Sequence, residues 1–331
     1  MPPPTRSAPP FDPECGAVWA EVSKTLFAGG SRDVDAGTLA AIRSQPLHAR
    51  ETLLQGRRFE EHPLRIATPA GEMVASVFEP EARAGLAPGM LWIHGGGMVT
   101  GDRYAATQAL DAAEAAGSVV VSIEYRLAPE HPAPAPVDDC VAALHWLGSN
   151  ARALGIDPGR LVLGGASAGG GLAAATALRV RDEGGPRLAG LLLCCPMLDD
   201  RMTTLSTRQF AEGVLWTRAS NEFGWRALLG ERFATEAVSI YEAPGRATDL
   251  SGLAPTYVDV GSADLFRDES VAFASTIWAS GGRAELHVWP GAYHGFELLA
   301  PKAALATAAA AARGRWLGRV VAQTSTWTVS R

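Results

Sequence analysis

Residues 161–181, LVLGGASAGGGLAAATALRVR, decide how this chain is read. An apolar run, Leu161 to Leu163, gives way to small residues at helical length, and Gly165-Ala166-Ser167-Ala168-Gly169 spells GxSxG at the junction. A sharp strand-to-helix turn needs glycine on both sides of the serine, because a Cβ there would collide with the tightly folded backbone. Such a turn lifts the serine hydroxyl above the sheet. It also lets the amide of Ala168, at a helix N-terminus, point toward the oxygen of an attacked carbonyl. Taken alone, the same letters also fit a glycine-rich turn that binds phosphate or merely packs.

Working outward, eight short apolar or alternating runs read as strands: LRIAT, MVASVFEP, GMLWIH, SVVVSIE, RLVLGG, LAGLLLC, TYVDVG and AELHVW. Segments of helix length separate the later ones, near 105–116, 137–154, 168–181, 269–280 and 302–317. This alternation predicts a mostly parallel sheet covered by helices on both faces, with ligands approached at the carboxyl ends of the strands. The first two runs are too close for a crossover helix and pair antiparallel. Residues 1 to about 13 are proline-rich and read as mobile, and Val18, Trp19, Val22, Leu26, Leu39 and Ile42 then recur at helical spacing up to about residue 55. Between 201 and 250 the rhythm breaks, and Phe210, Trp216, Phe223, Trp225, Phe233 and Tyr241 accumulate as in an inserted helical lid. The expected organisation is 1–55 and 201–250 as a cap, with 56–200 and 251–331 as the core. Each lid aromatic reads first as a packing residue and second as a substrate contact.

A serine hydroxyl needs a base and an acid that orients it, here in the order serine, acid, histidine. After TYVDVG comes Asp264, and after AELHVW comes His294, each on a loop at the carboxyl end of a strand. Asp268 and Glu269 are rival acids but read as first-turn helix residues, and Asp259 lies within the strand. His145, His287, His131, His48 and His62 read as structural. After the run LWI come His94, Gly95, Gly96 and Gly97, a loop whose amides can approach a ligand and form an oxyanion site, or else a flexible hinge. His94 there braces the loop through hydrogen bonds.

The chain has 331 residues, 47% hydrophobic and 19% charged, with a formal charge of −6 and no basic run, which disfavours a nucleic-acid partner. Cys15, Cys140, Cys194 and Cys195 lack zinc-site spacing and are too few for a disulfide framework. The adjacent pair reads as part of a buried strand, its side chains facing opposite ways, rather than as a vicinal redox pair. No secretory signal and no membrane span are expected, so the reading is cytoplasmic.

HGGG at His94, YRLAPEHPAPAPVDDC from Tyr125, GASAGG at Gly165, PMLDDR from Pro196, DLFRDE at Asp264 and HGF at His294 occur in that order. In this the chain resembles the hormone-sensitive lipase family of esterases over residues 64–318. The resemblance implies an α/β-hydrolase fold, an eight-stranded sheet with a helical cap, and carboxylic ester hydrolysis with no cofactor and no metal. It implies Ser167 as nucleophile, His294 as general base and acid, and Asp264 as orienting carboxylate. It further implies amides of Gly95, Gly96 and Ala168 as the oxyanion hole, with Gly97 in support. Two positions depart from the family. Ala166 offers no polar side chain before the serine, and Met98 stands where an aromatic is frequent, as an apolar wall of the acyl or alcohol pocket. The partner is then a small-molecule ester of short to medium chain, and a homodimer is an open option for the assembly. A ligand-binding protein without turnover, and an amidase or lactonase using the same triad, are the alternatives.

Overall fold

The computed structural model describes residues 7–26, 33–45, 49–83 and 85–323; the first six residues, His48 and the tail from 324 lie outside the described residues. Three helices, α1 (Pro13–Leu26), α2 (Leu39–Arg43) and α3 (Arg50–Leu54), precede the first strand. The antiparallel pair β1 (Phe59–Thr68) and β2 (Gly71–Pro80) leads into β3 (Ala87–Ile93), α4 (Thr107–Ala116), β4 (Val119–Ile123) and α5 (Ala135–Asn150). Then come β5 (Ile156–Ala166), α6 (Ala168–Glu183) and β6 (Gly190–Cys194), followed by α7 (Leu205–Gln209) and α8 (Arg218–Leu229) in the stretch where the strand rhythm fails. The chain closes with β7 (Thr256–Ala263), α9 (Arg267–Ala279), β8 (Ala284–Tyr293), α10 (Phe296–Leu299) and α11 (Ala304–Ala322).

The eight strands form one sheet in the order β1-β2-β4-β3-β5-β6-β7-β8, antiparallel from β1 through β4 and parallel from there to β8. Its central strands are apolar without interruption because both faces are covered, and the period-two alternation sorts their side chains between two cores. Leu91, Ile93, Leu161, Leu163, Leu191, Leu193, Val258 and Val260 share one core with Leu144, Leu147, Leu172, Leu178, Phe273 and Ile277 of α5, α6 and α9. Met90, Trp92, Val162, Leu192 and Tyr257 face the other way, into a core with Leu110 of α4 and Trp316 and Leu317 of α11. With side chains of this size wholly removed from water, each contributes about 1.5–3 kcal/mol of transfer free energy.

Two expectations change. Residues 7–13 are tied down rather than loose: Asp12 donates its amide to Gly291 O at 2.9 Å and caps α1 by accepting from the Glu14 and Cys15 amides at 3.0 Å, while the Phe11 ring packs edge-on to Tyr293. The cysteine pair does not share a strand. β6 ends at Cys194, and Cys195 turns out of the sheet with φ 38°, its amide donated to Asp259 O at 2.6 Å. Among the described residues no helix is long and apolar enough to cross a membrane.

Candidate active site

β5 ends at Ala166 and α6 begins at Ala168, leaving Ser167 on the turn with φ 55° and ψ −122°. A non-glycine residue held there costs about 1–3 kcal/mol and persists only where its surroundings over-determine it. They do so through the backbone. Ser167 donates its amide to Cys194 O at 2.8 Å, and its carbonyl accepts from Met197 N at 2.9 Å and Gly171 N at 3.1 Å. Close approach accounts for the flanking glycines: a Cβ on Gly165 would stand 2.2 Å from Gly169 O, and one on Gly169 would stand 2.0 Å from Ile93 O.

Asp264 and His294 each follow the last residue of a strand, and the parallel register of β7 with β8 places Ala263 opposite Tyr293. The two side chains therefore arrive side by side. His294 Nδ1 lies 2.8 Å from Asp264 Oδ2, and Nε2 lies 3.1 Å from Ser167 Oγ. The second carboxylate oxygen is also fixed, since Asp264 Oδ1 accepts the Phe266 amide at 2.9 Å, and the Phe266 ring stands edge-on to the imidazole at 5.2 Å. Asp264 is 1% exposed and Ser167 9%, so the acid is sealed while the hydroxyl remains reachable.

The rival acids are occupied elsewhere. Asp268 accepts the Ser206 amide at the start of α7 and pairs with Arg267 at 2.7 Å. Glu269 is buried and accepts the Leu198 and Asp199 amides at 2.7 and 3.3 Å; burial pushes its carboxyl well above the usual carboxylate range. Asp259 meets the fully buried Arg313 at 2.7 Å on the opposite face of the sheet. His145 lies in α5, His287 in β8 and His62 in β1.

β3 delivers the loop of His94, Gly95, Gly96 and Gly97 to the serine: Ser167 Cβ is 3.3 Å from where a Cβ on Gly95 would sit. The imidazole of His94 stacks on Tyr125 at 4.3 Å, its Nδ1 is 2.7 Å from Gly95 O, and Tyr125 Oη donates to His94 O at 3.1 Å. Met98 is not a pocket wall. It is 0% exposed and belongs to the main core, because a left-handed backbone (φ 65°) turns it beneath the loop, where its carbonyl accepts the Ala128 amide.

Arg43 and Leu215 escaped the sequence reading, and Trp216 and Cys195, named there as a lid aromatic and one of two adjacent thiols, were not placed beside the site. Arg43 of α2 reaches Val99 O and Ala128 O, each at 2.7 Å, and forks onto Glu130. Trp216, held by its Nε1 on Asn221 Oδ1 at 3.1 Å, lays its ring against Gly97, while the preceding Leu215 packs on Gly295 beside the imidazole. Cys195 stands with its sulfur within 4.8 Å of an Asp264 oxygen and a His294 nitrogen. No sequence signal gave these contacts, since each joins segments far apart in the chain.

The sequence matches a family described as alpha/beta hydrolase fold over residues 90–298. Carboxylesterase NlhH of Mycobacterium tuberculosis is 34% identical over 317 residues, 92% of this chain and 95% of that one. The chain belongs to the hormone-sensitive lipase family of carboxylic ester hydrolases. Among solved members of this esterase family, a bacterial heroin esterase superposes with a TM-score of 0.82 at 36% identity, covering 94% of this chain and 98% of that one. Esterase LipW from Mycobacterium marinum superposes with a TM-score of 0.81 at 30% identity, covering 95% and 98%.

Proposed function

We propose that this esterase works through Ser167 as nucleophile, His294 as general base and then acid, and Asp264 as the carboxylate that holds the imidazole. The observation that carries the reading is the continuous chain Ser167 Oγ, His294 Nε2, His294 Nδ1, Asp264 Oδ2, at 3.1 and 2.8 Å. His294 takes the serine proton as Oγ attacks the ester carbonyl, and the amides of Gly95, Gly96 and Ala168, with Gly97 in support, receive the oxyanion. Each such donor contributes roughly 10²–10³ in rate. Collapse expels the alcohol with the proton returned by His294, and water repeats the sequence on the acyl-enzyme. His94 braces the glycine loop from behind.

In this reading residues 1–55 and 201–250 form the cap, and the packing of Leu215 and Trp216 onto the histidine and glycine loops supports that assignment. A cap this close to the serine favours short- to medium-chain esters over bulky lipids. An activated ester is the easier substrate, and amides or lactones test the limits of the same machinery. The four cysteines are free, which supports a cytoplasmic location. The deciding experiment is Ser167→Ala against a series of p-nitrophenyl esters. Turnover should fall by at least about 10⁴-fold at every chain length, and near wild-type turnover would remove Ser167 from the mechanism.

A further inference from the structure

We propose that Cys195, Asp264 and His294 form a binding site for a thiophilic divalent cation such as Zn²⁺ or Cd²⁺, through which the ion switches the esterase off. The sulfur of Cys195, a carboxylate oxygen of Asp264 and a ring nitrogen of His294 all lie within 4.8 Å of one another. Ligands around a zinc ion at about 2.0–2.3 Å stand a little over 3 Å apart, so a pair at the outer limit closes by about 1.5 Å, shared between two side chains. Sulfur, imidazole and carboxylate together are a zinc donor set, and the thiolate selects against Mg²⁺ and Ca²⁺.

The fold aims the thiol at this corner. Cys195 adopts a left-handed backbone, φ 38°, immediately after β6, and its amide is pinned to Asp259 O on β7, the strand that carries Asp264 at its end. The Asp264 carboxylate beside the sulfur supplies the negative charge that favours a dication over a neutral occupant, whereas Asp259 and Glu297 are neutralised by Arg313. Cys195 is partly exposed and the His294 side chain 11% exposed, above a sealed Asp264.

The chemistry balances without any redox partner. The cation displaces the thiol proton of Cys195, which leaves to solvent, and takes a lone pair from the imidazole. If Nδ1 coordinates, its proton moves to Nε2; Nε2 then donates toward Ser167 Oγ and can no longer accept its proton. If Nε2 coordinates, the base lone pair is consumed outright. Both geometries remove the general base, so inhibition, though not binding, rests on the role proposed for His294.

The test uses the full chain in chelator- and thiol-free buffer, with hydrolysis of p-nitrophenyl acetate followed against added Zn²⁺. Wild type should be inhibited, recover fully with EDTA, and ignore Mg²⁺. Cys195→Ala and Cys195→Ser should keep basal turnover and need at least about 10-fold more Zn²⁺ for the same inhibition, a loss typical even of residues one step removed from a metal. Cd²⁺ added to Ser167→Ala should raise the ultraviolet thiolate-to-metal charge-transfer band and release one proton per ion, and both signals should vanish when Cys195→Ala is added. Equal inhibition of wild type and both Cys195 variants, or no charge-transfer band, overturns the site. Retained turnover in Ser167→Ala without metal would instead overturn the proposed mechanism, leaving the cadmium signal to judge the site by itself.

Discussion

Replacing Arg313 with Met should expose how much the fold depends on one buried cation. Arg313 is 1% exposed on α11; Nε and Nη2 meet Asp259 Oδ2 at 2.8 and 2.7 Å, and Nη2 meets Glu297 Oε2 at 2.9 Å, with Nη1 on the other Glu297 oxygen. Asp259 is additionally held by Trp289 Nε1 at 3.1 Å, so it cannot swing to water. Met preserves most of the side-chain volume and removes the charge, which strands two carboxylates in the interior. Breaking a buried pair from one side costs about 3–5 kcal/mol. For 331 residues an unfolding entropy of about 2.1 cal/mol/K per residue gives about 0.7 kcal/mol/K, so the melting temperature should drop by about 4–7 °C.

The pH dependence carries a sign. Burial already holds the Glu297 carboxyl above its ordinary value, and without the guanidinium nothing offsets that burial. Such groups add stability below the unfolded pKa and lose it as pH rises through the folded value. The deficit of Arg313→Met relative to wild type should therefore be largest at pH 8 and shrink toward pH 5. Urea unfolding at both pH values, followed by circular dichroism, measures it. A deficit under about 1 kcal/mol, or one unchanged between the two pH values, would refute the claim that the network matters through its charge.

Asp264→Asn should leave the fold intact and lower kcat by about 10⁴-fold, as loss of the orienting carboxylate does in other serine hydrolases; ester turnover on folded protein, checked by circular dichroism, reads it. Gly165→Ala places a Cβ 2.2 Å from Gly169 O, and an overpacked turn of this kind should cost about 1–3 kcal/mol and depress turnover, seen in a thermal melt and an ester assay. Glu269 has a carboxyl raised by burial, so its contribution is present at low pH and fades as pH rises through its folded pKa. Stability of Glu269→Gln relative to wild type should accordingly improve from pH 5 to pH 8, measured by chemical denaturation.

The letters alone determined the sheet and pointed to the three side chains that the structure brings together. Eight apolar runs became eight strands because a sheet covered on both faces leaves uninterrupted apolar sequence, and Ser167, Asp264 and His294 were legible because each sits directly at a strand end next to turn residues. Strand ends are local facts, set by where the apolar pattern stops. What the tertiary structure decided is everything that depends on a neighbour distant in the chain. Met98 looked like a pocket wall, yet a left-handed turn buries it. Arg43 and Trp216 reach the glycine loop from segments 56 and 119 residues away from Val99 and Gly97. Cys194 and Cys195, adjacent in sequence, part company where β6 ends, and only the packing of β6 beside β7 and β8 brings the second thiol to the imidazole. Periodicity records which face of an element meets a core; it holds no information about which remote side chain waits on that face.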